Sequence, residues 1–238
     1  MKVNGQGAGV PGYIVGLAML LVPGYCASLE GTVVWYLEHE NGNEAYKVRY
    51  IVTPEYMRSD EGGDGEGYVL LVRKDKQIYN VVPENRSVLQ IDGVGKLVPA
   101  PAEQGVEVKE TRDSQAPTLE GKPALSLELY AGSDLCDSSV VVPGLLEDVR
   151  QALSEFRLAL AVQQSRTIGN TPEEFRTPCF MANSIYAADY HLQRGIPLLE
   201  WRENKQSSKL LDYEAGVELP GALFELPQDY RYFRAPEN

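Results

Sequence analysis

Histidine is nearly absent from this chain: His39 and His191 are the two in 238 residues. An imidazole-based metal centre or acid–base dyad therefore has almost nothing to draw on. Cysteine is scarce as well, at positions 26, 136 and 179. No Gly-x-Ser-x-Gly elbow, phosphate loop or zinc-protease helix occurs, which removes the residues those chemistries need. Basic charge is in deficit, since 34 Asp and Glu stand against 22 Lys and Arg and no basic cluster reverses the balance locally. That balance argues against a nucleic-acid partner or an anionic membrane surface. Long apolar runs are missing after the first two dozen residues, whereas a bilayer-crossing helix needs about 20 apolar residues.

What is present begins with a secretion-type start. Lys2 is the only charge before Glu30, and Tyr13 to Val22 is apolar throughout before Pro23-Gly24 breaks the run. A charged start, an apolar stretch and a breaker followed by small residues read as a signal peptide over 1–28, cleaved after Ser28. Lipidation of Cys26 is the competing reading, but the bulky Tyr25 stands where a lipoprotein signal wants a small residue. The expected product is a periplasmic or secreted chain, 29–238, without a membrane span. It keeps two cysteines, Cys136 and Cys179, and in an oxidising compartment these most simply form one disulfide. Two separate buried thiols would be the better guess in the cytosol.

Over the first half the apolar pattern has period two. Val33, Trp35 and Leu37 share one face of a strand over Thr32 to Glu38; Tyr46, Val48, Tyr50 and Val52 share one face over Ala45 to Thr53. Further strands are expected at Glu55 to Asp60, Tyr68 to Arg73, Gln77 to Val82 and Ser87 to Ile91. The connections between them are short and rich in Gly, Asn, Asp and Pro, so neighbouring strands are antiparallel and the first half is a β-meander. After an irregular stretch with one strand near Gly105 to Glu110, alternation returns over Pro123 to Ala131. Strands are also expected at Leu198 to Arg202 and Lys209 to Tyr213.

The period changes between Val142 and Arg166. Val149, Leu153, Phe156 and Leu160 fall on one helical stripe, with Glu147, Arg150, Glu155 and Arg157 off it. Thr171-Pro172 and Thr177-Pro178 each pair a helix cap with a first-turn proline. Because an interior proline breaks a helix, the spacing predicts a short helix, a break, and a longer one from Pro178 to about Arg194, stopped by Gly195, with Cys179 in its first turn.

The run from Tyr46 through Thr53-Pro54-Glu55-Tyr56-Met57-Arg58 and Tyr68 to Arg73, then Ile78-Tyr79 and Pro83, resembles LolA-like proteins and their envelope relatives. The ending Leu223-Phe224-Glu225-Leu226-Pro227 resembles their final segment. The resemblance implies an α+β fold, an antiparallel meander forming an incomplete barrel with helices across its concave side around an apolar cavity. It further implies a non-enzymatic protein whose partner is a lipid, another apolar ligand or an envelope protein. The cysteine pair and the Thr-Pro helix starts depart from the carriers.

Trp35, Tyr46, Tyr50, Tyr56 and Tyr79 are candidates to line that cavity, with ordinary sheet packing as the alternative. A core filled by its own side chains would instead make the chain a structural or interaction module. A hydrolase would need a carboxylate pair, which the sequence alone does not select. Asp60 to Gly67 clusters carboxylates with glycines, but its spacing fails the calcium-loop pattern and reads as a solvated hairpin tip. No metal or cofactor is expected. His39 reads as a solvated turn residue, and His191 as a cap at a helix C-terminus.

Overall fold

The structure, a computed structural model, describes residues 28–63, 66–112, 118–203 and 205–236. The signal segment, apart from Ser28, lies outside these residues. The strands are β1 (Ser28–His39), β2 (Tyr46–Val52), β3 (Tyr56–Asp60), β4 (Tyr68–Val72), β5 (Gln77–Val82), β6 (Ser87–Asp92), β7 (Val106–Thr111), a small hairpin β8 (Thr118–Leu119) and β9 (Lys122–Pro123), β10 (Leu125–Ala131) and β11 (Asp134–Val142). Helix α1 (Glu147–Thr167) and the one-turn α2 (Pro178–Met181) follow, then β12 (Ile196–Arg202), β13 (Ser207–Pro220) and β14 (Arg231–Arg234).

Twelve of the strands form one sheet in the order β14-β6-β5-β4-β3-β2-β1-β13-β12-β11-β10-β7. The sheet is open, because β14 and β7 are its two unjoined edges, and its ladders are antiparallel except β14 on β6. The class is α+β, with strand content dominant. The expected meander is β1 to β6.

α1 lies across one face, which we call the inner face, touching β2, β3, β5, β6 and β12. Its buried Val149, Ala152, Leu153 and Ala159 pack on Val34, Tyr36, Val52, Met57, Leu71 and Ile78. Burying a Val- or Leu-sized side chain stabilises by about 1.5–3 kcal/mol, so this seam is the main core. Polar ties fix the helix along its length: Thr32 Oγ1 donates to Asp148 at 2.6 Å, Arg73 Nε to Glu155 at 2.6 Å, and Arg166 to the Asp92 carbonyl at 3.0 Å. On the outer face, Ile51, Leu70, Leu219 and Phe224 form a second core beneath the chain's last segment.

Three expectations need correction. β11 lies where no strand is expected, since the buried Asp137 and Ser139 occupy positions where alternation calls for apolar residues. The helix from Pro178 does not reach Arg194: α2 passes into a wide turn ending at Tyr186, and Ala187 leaves helical geometry at φ −135°. The reason is burial, because Ala188 to Leu192 are all buried and a surface helix would turn part of that run outward. Asp60 is not part of a solvated tip either; it is 5 % exposed and sits under Arg49 and Arg58.

Cys136 of β11 and Cys179 of α2 form a disulfide with Cα atoms 5.0 Å apart. Thr177 accepts from the Phe180 amide and caps the turn that presents Cys179. The bond pins α2, not α1, to the sheet, inside an apolar cluster with Leu127, Leu129, Ala182 and Tyr190. No helix among the described residues is long and apolar enough to cross a membrane.

Candidate functional site

The ladder registers set five side chains in a row across the inner face. Tyr46 pairs with Glu38, Glu38 with Ser208, Ser208 with Glu200, and Glu200 with Ser139. Directly paired residues project from the same side of a sheet, about 4.5–5.5 Å apart, so the row is a polar stripe across β2, β1, β13, β12 and β11. Arg157 of α1 reaches down to it. Off the apolar stripe as the helical spacing predicts, Arg157 nevertheless turns toward the sheet instead of standing in solvent.

A cleft of about 340 Å³ opens beside this stripe, bordered by Glu40 and Tyr46 at its mouth. A smaller space of about 120 Å³ continues it beneath α1, against Phe156 and His191. Glu38, Tyr50, Arg157, Glu200 and Ser208 line both.

The charges here are loosely held. Glu200 is 6 % exposed, with Oε2 3.8 Å from Arg157 and Oε1 3.3 Å from His191 Nε2. Neither contact is a good hydrogen bond, and Glu200 Oε1 and His191 Nδ1 have no hydrogen-bond partner among the described residues. Arg202 stands 3.8 Å from Asp137, whose Oδ1 is likewise unpaired. Glu38 is better served, accepting from Ser208 Oγ at 2.8 Å. Tyr36 donates to the Pro197 carbonyl at 2.8 Å, and Tyr190 to Ser139 at 3.3 Å.

Burial drives the ionisation of the cluster. It pushes His191 down to about 4, helped by the nearby guanidiniums, so the imidazole is neutral at pH 7. Burial and then Glu200 push Asp137 up to about 7. Glu38 is also raised, again chiefly by burial. Glu200 goes the other way: burial raises it, but His191, Arg157 and Arg202 outweigh that.

Of the five aromatic candidates, the structure brings two to this cleft, Tyr46 and Tyr50. The other three lie on the outer face. Trp35 sits 5.5 Å below the Arg49 guanidinium, and Tyr56 stacks on Phe224 with ring centroids 5.2 Å apart. Tyr79 packs in the same outer cluster. The reason is register: Trp35 pairs with Arg49, and Tyr56 follows a turn that reverses which parity faces inward. His191 is a core residue 2 % exposed, not a helix cap, whereas His39 is exposed at the end of β1. Sequence reading missed Glu38, Arg157, Glu200 and Asp137. The signal available was strand parity, since Glu38 follows Val34 and Tyr36, and Glu200 follows Ile196 and Leu198, at spacing two.

No protein-family model matches the chain, and no curated protein does. Among solved structures, an uncharacterized conserved protein from Thermus thermophilus aligns at 10% identity with a TM-score of 0.42, over 87% of this chain and 91% of that one. PNGF-II aligns at 8% identity and a TM-score of 0.40, and MucB at 10% and 0.38. The alignments cover 31% of the PNGF-II chain and 59% of the MucB chain. These likenesses are too distant to carry an argument about function.

Proposed function

We propose that this chain is an exported, non-enzymatic envelope protein of LolA-like half-barrel type, acting as a binding or interaction module and not as an acyl-chain carrier. The observation behind this reading is that α1 fills the inner face with its own Val149, Leu153 and Ala159. The space of about 120 Å³ beneath α1 is lined by Phe156, Leu160 and Leu192 but also by Glu38, Arg157 and Glu200, groups against which an alkyl chain would strand buried charge. Export is supported by the signal-like start of the sequence and by the Cys136–Cys179 bond. The test is native mass spectrometry on protein recovered from the periplasm or medium. A chain beginning near Leu29, with one disulfide and no amphiphile, is the expected species. A co-purifying lipid would restore the carrier reading, and a diacylglyceryl mass on Cys26 would show an anchored protein.

A second reading rests on one further observation. Glu38 and Glu200 face one cleft with ionisation pushed in opposite directions, the arrangement that separates a general acid from a carboxylate base. As a hydrolase the protein would turn over a glycoside and lose that turnover in Glu200→Gln. Absence of turnover across a panel of aryl glycosides removes this reading and leaves the binding module.

A further inference from the structure

Beside the joined Glu38–Ser208 pair, the polar stripe holds a buried acceptor that the described residues do not satisfy. Glu200 is more than nine-tenths buried, yet Oε1 accepts no hydrogen bond. Arg157, 3.8 Å from the other oxygen and with 31% of its side chain exposed, borders both the cleft and its inner extension. Leaving a buried polar group unsatisfied is costly, and more so when it is charged. Both groups face an opening of about 340 Å³, within the size range of small-ligand sites. Glu200 Oε1 is therefore satisfied by what enters the cleft, water or ligand, with the Arg157 guanidinium beside it.

The chemistry of the visitor follows from the spacing. Arg157 and Glu200 already balance each other's charge, so a net anion or cation would gain on one partner and be repelled by the other. A hydroxyl differs, because it accepts from a guanidinium N–H and donates to a carboxylate oxygen at once. With a single oxygen it completes a donor and an acceptor standing just beyond hydrogen-bond distance. Ser208 and Glu38 continue the same alternation along the stripe, and Tyr50 adds an aromatic wall. We infer that the cleft between α1 and the β1–β13–β12 strands is a binding site for a neutral polyhydroxylated ligand, a mono- or disaccharide unit, held by Arg157, Glu200 and Glu38. The inference concerns the cleft alone and holds whether the protein is exported or docks a partner.

The experiment is a ¹H–¹⁵N NMR titration of the oxidised chain with four probes: glucose, N-acetylglucosamine, the zwitterion alanyl-alanine, and octanoate. The expected result is saturable shifts for at least one sugar, concentrated at 38–50, 153–160 and 198–208. Arg157→Lys, which keeps the charge but loses the fork, should weaken that binding at least tenfold while the rest of the spectrum is preserved. Arg86→Gln, at the far edge of the sheet, should leave it unchanged. Saturable binding of alanyl-alanine or octanoate in preference to both sugars overturns the inference. So does a wild-type spectrum that none of the four probes moves, or sugar shifts that map elsewhere. Because the wild-type titration decides the matter, a variant that fails to fold does not rescue it.

Discussion

Two buried carboxylates sit on opposite faces of one sheet and are held in opposite ways. Asp60, on the outer face, accepts from Arg49 at 2.8 and 3.0 Å, from Arg58 at 2.6 Å and from the Gly62 amide at 3.0 Å. Glu200, on the inner face, has the neutral His191 at 3.3 Å, the Arg157 guanidinium at 3.8 Å and an oxygen with no hydrogen bond among the described residues. Similar burial thus yields a closed network in one place and an open one in the other. A fully satisfied charge rigidifies the fold, and an incompletely satisfied one is available for recognition.

Removing the Asp60 charge should break the closed network with the largest effect. Asp60→Asn leaves two guanidiniums facing a neutral amide and should cost about 3–5 kcal/mol in urea unfolding. The pH dependence has a definite sign. Burial raises Asp60, but its hydrogen bonds to Arg49 and Arg58 and their charges outweigh that and hold it below the usual carboxylate range. Its stabilisation is therefore present above the unfolded value of about 3.9 and is lost as pH falls through the folded value. The variant should lack that acid-side loss.

Cys136→Ser should come next, acting behind the open network. The bond closes a loop with a sequence separation of 43, for which chain entropy gives about 4 kcal/mol as the upper expectation. Hydrogen exchange should rise first at 136–141 and 179–191, with 49–60 protected as before. Equal loss on both sides would mean the two networks are not independent.

A smaller pair of effects separates the members of the open network. Asp137, raised to about 7 in the folded state, contributes stability that is full below its unfolded value and is lost as pH rises through 7. His191, lowered to about 4, contributes stability that is full above about 6.5 and is lost as pH falls toward 4. Between pH 4 and 6.5 the two slopes oppose each other. Asp137→Asn should be more stable than the parent at pH 8 by about 1 kcal/mol, and His191→Gln should gain stability on acidification where the parent stays flat. Thermal melts at half-unit pH steps would show parallel curves if neither group titrates in this window.

The smallest effect is expected at the turn beside Asp60. Removing two residues from 63–66, with Gly62 kept for its bond to Asp60, should change stability by less than about 0.6 kcal/mol, since closure entropy varies slowly with loop length. A large loss would mean that the turn itself holds Asp60 in place.

Much of the architecture was legible because apolar periodicity reports directly on burial. β1 to β6 and α1 fall where periods of two and 3.6 place them, and Thr177 caps where its proline neighbour predicts. The failures share one cause. β11 was hidden because Asp137 and Ser139 are polar yet buried, and Ala188 to Leu192 because a non-helical run is buried whole. Arg157 and Glu200 look like solvated charges in a row of letters. Only the pairing of β12 with β13, and the placing of α1 over them, makes them neighbours. A site assembled from β1, α1, β12 and β13 spans most of the chain, and local patterns carry no record of such distances.

That distance also bears on how the molecule comes to exist. β1, in the middle of the sheet, pairs along its whole length with β13, from Ser28 opposite Pro220 to His39 opposite Ser207. β1 must therefore wait, with one edge bare, for a strand made about 180 residues later. Non-local pairing of this kind slows folding, and an exposed edge is a template for wrong partners in the interval. The polar row at Glu38 and Ser208 cannot form before that late closure, so the cleft is absent from every partly folded state in which β1 and β13 are still apart.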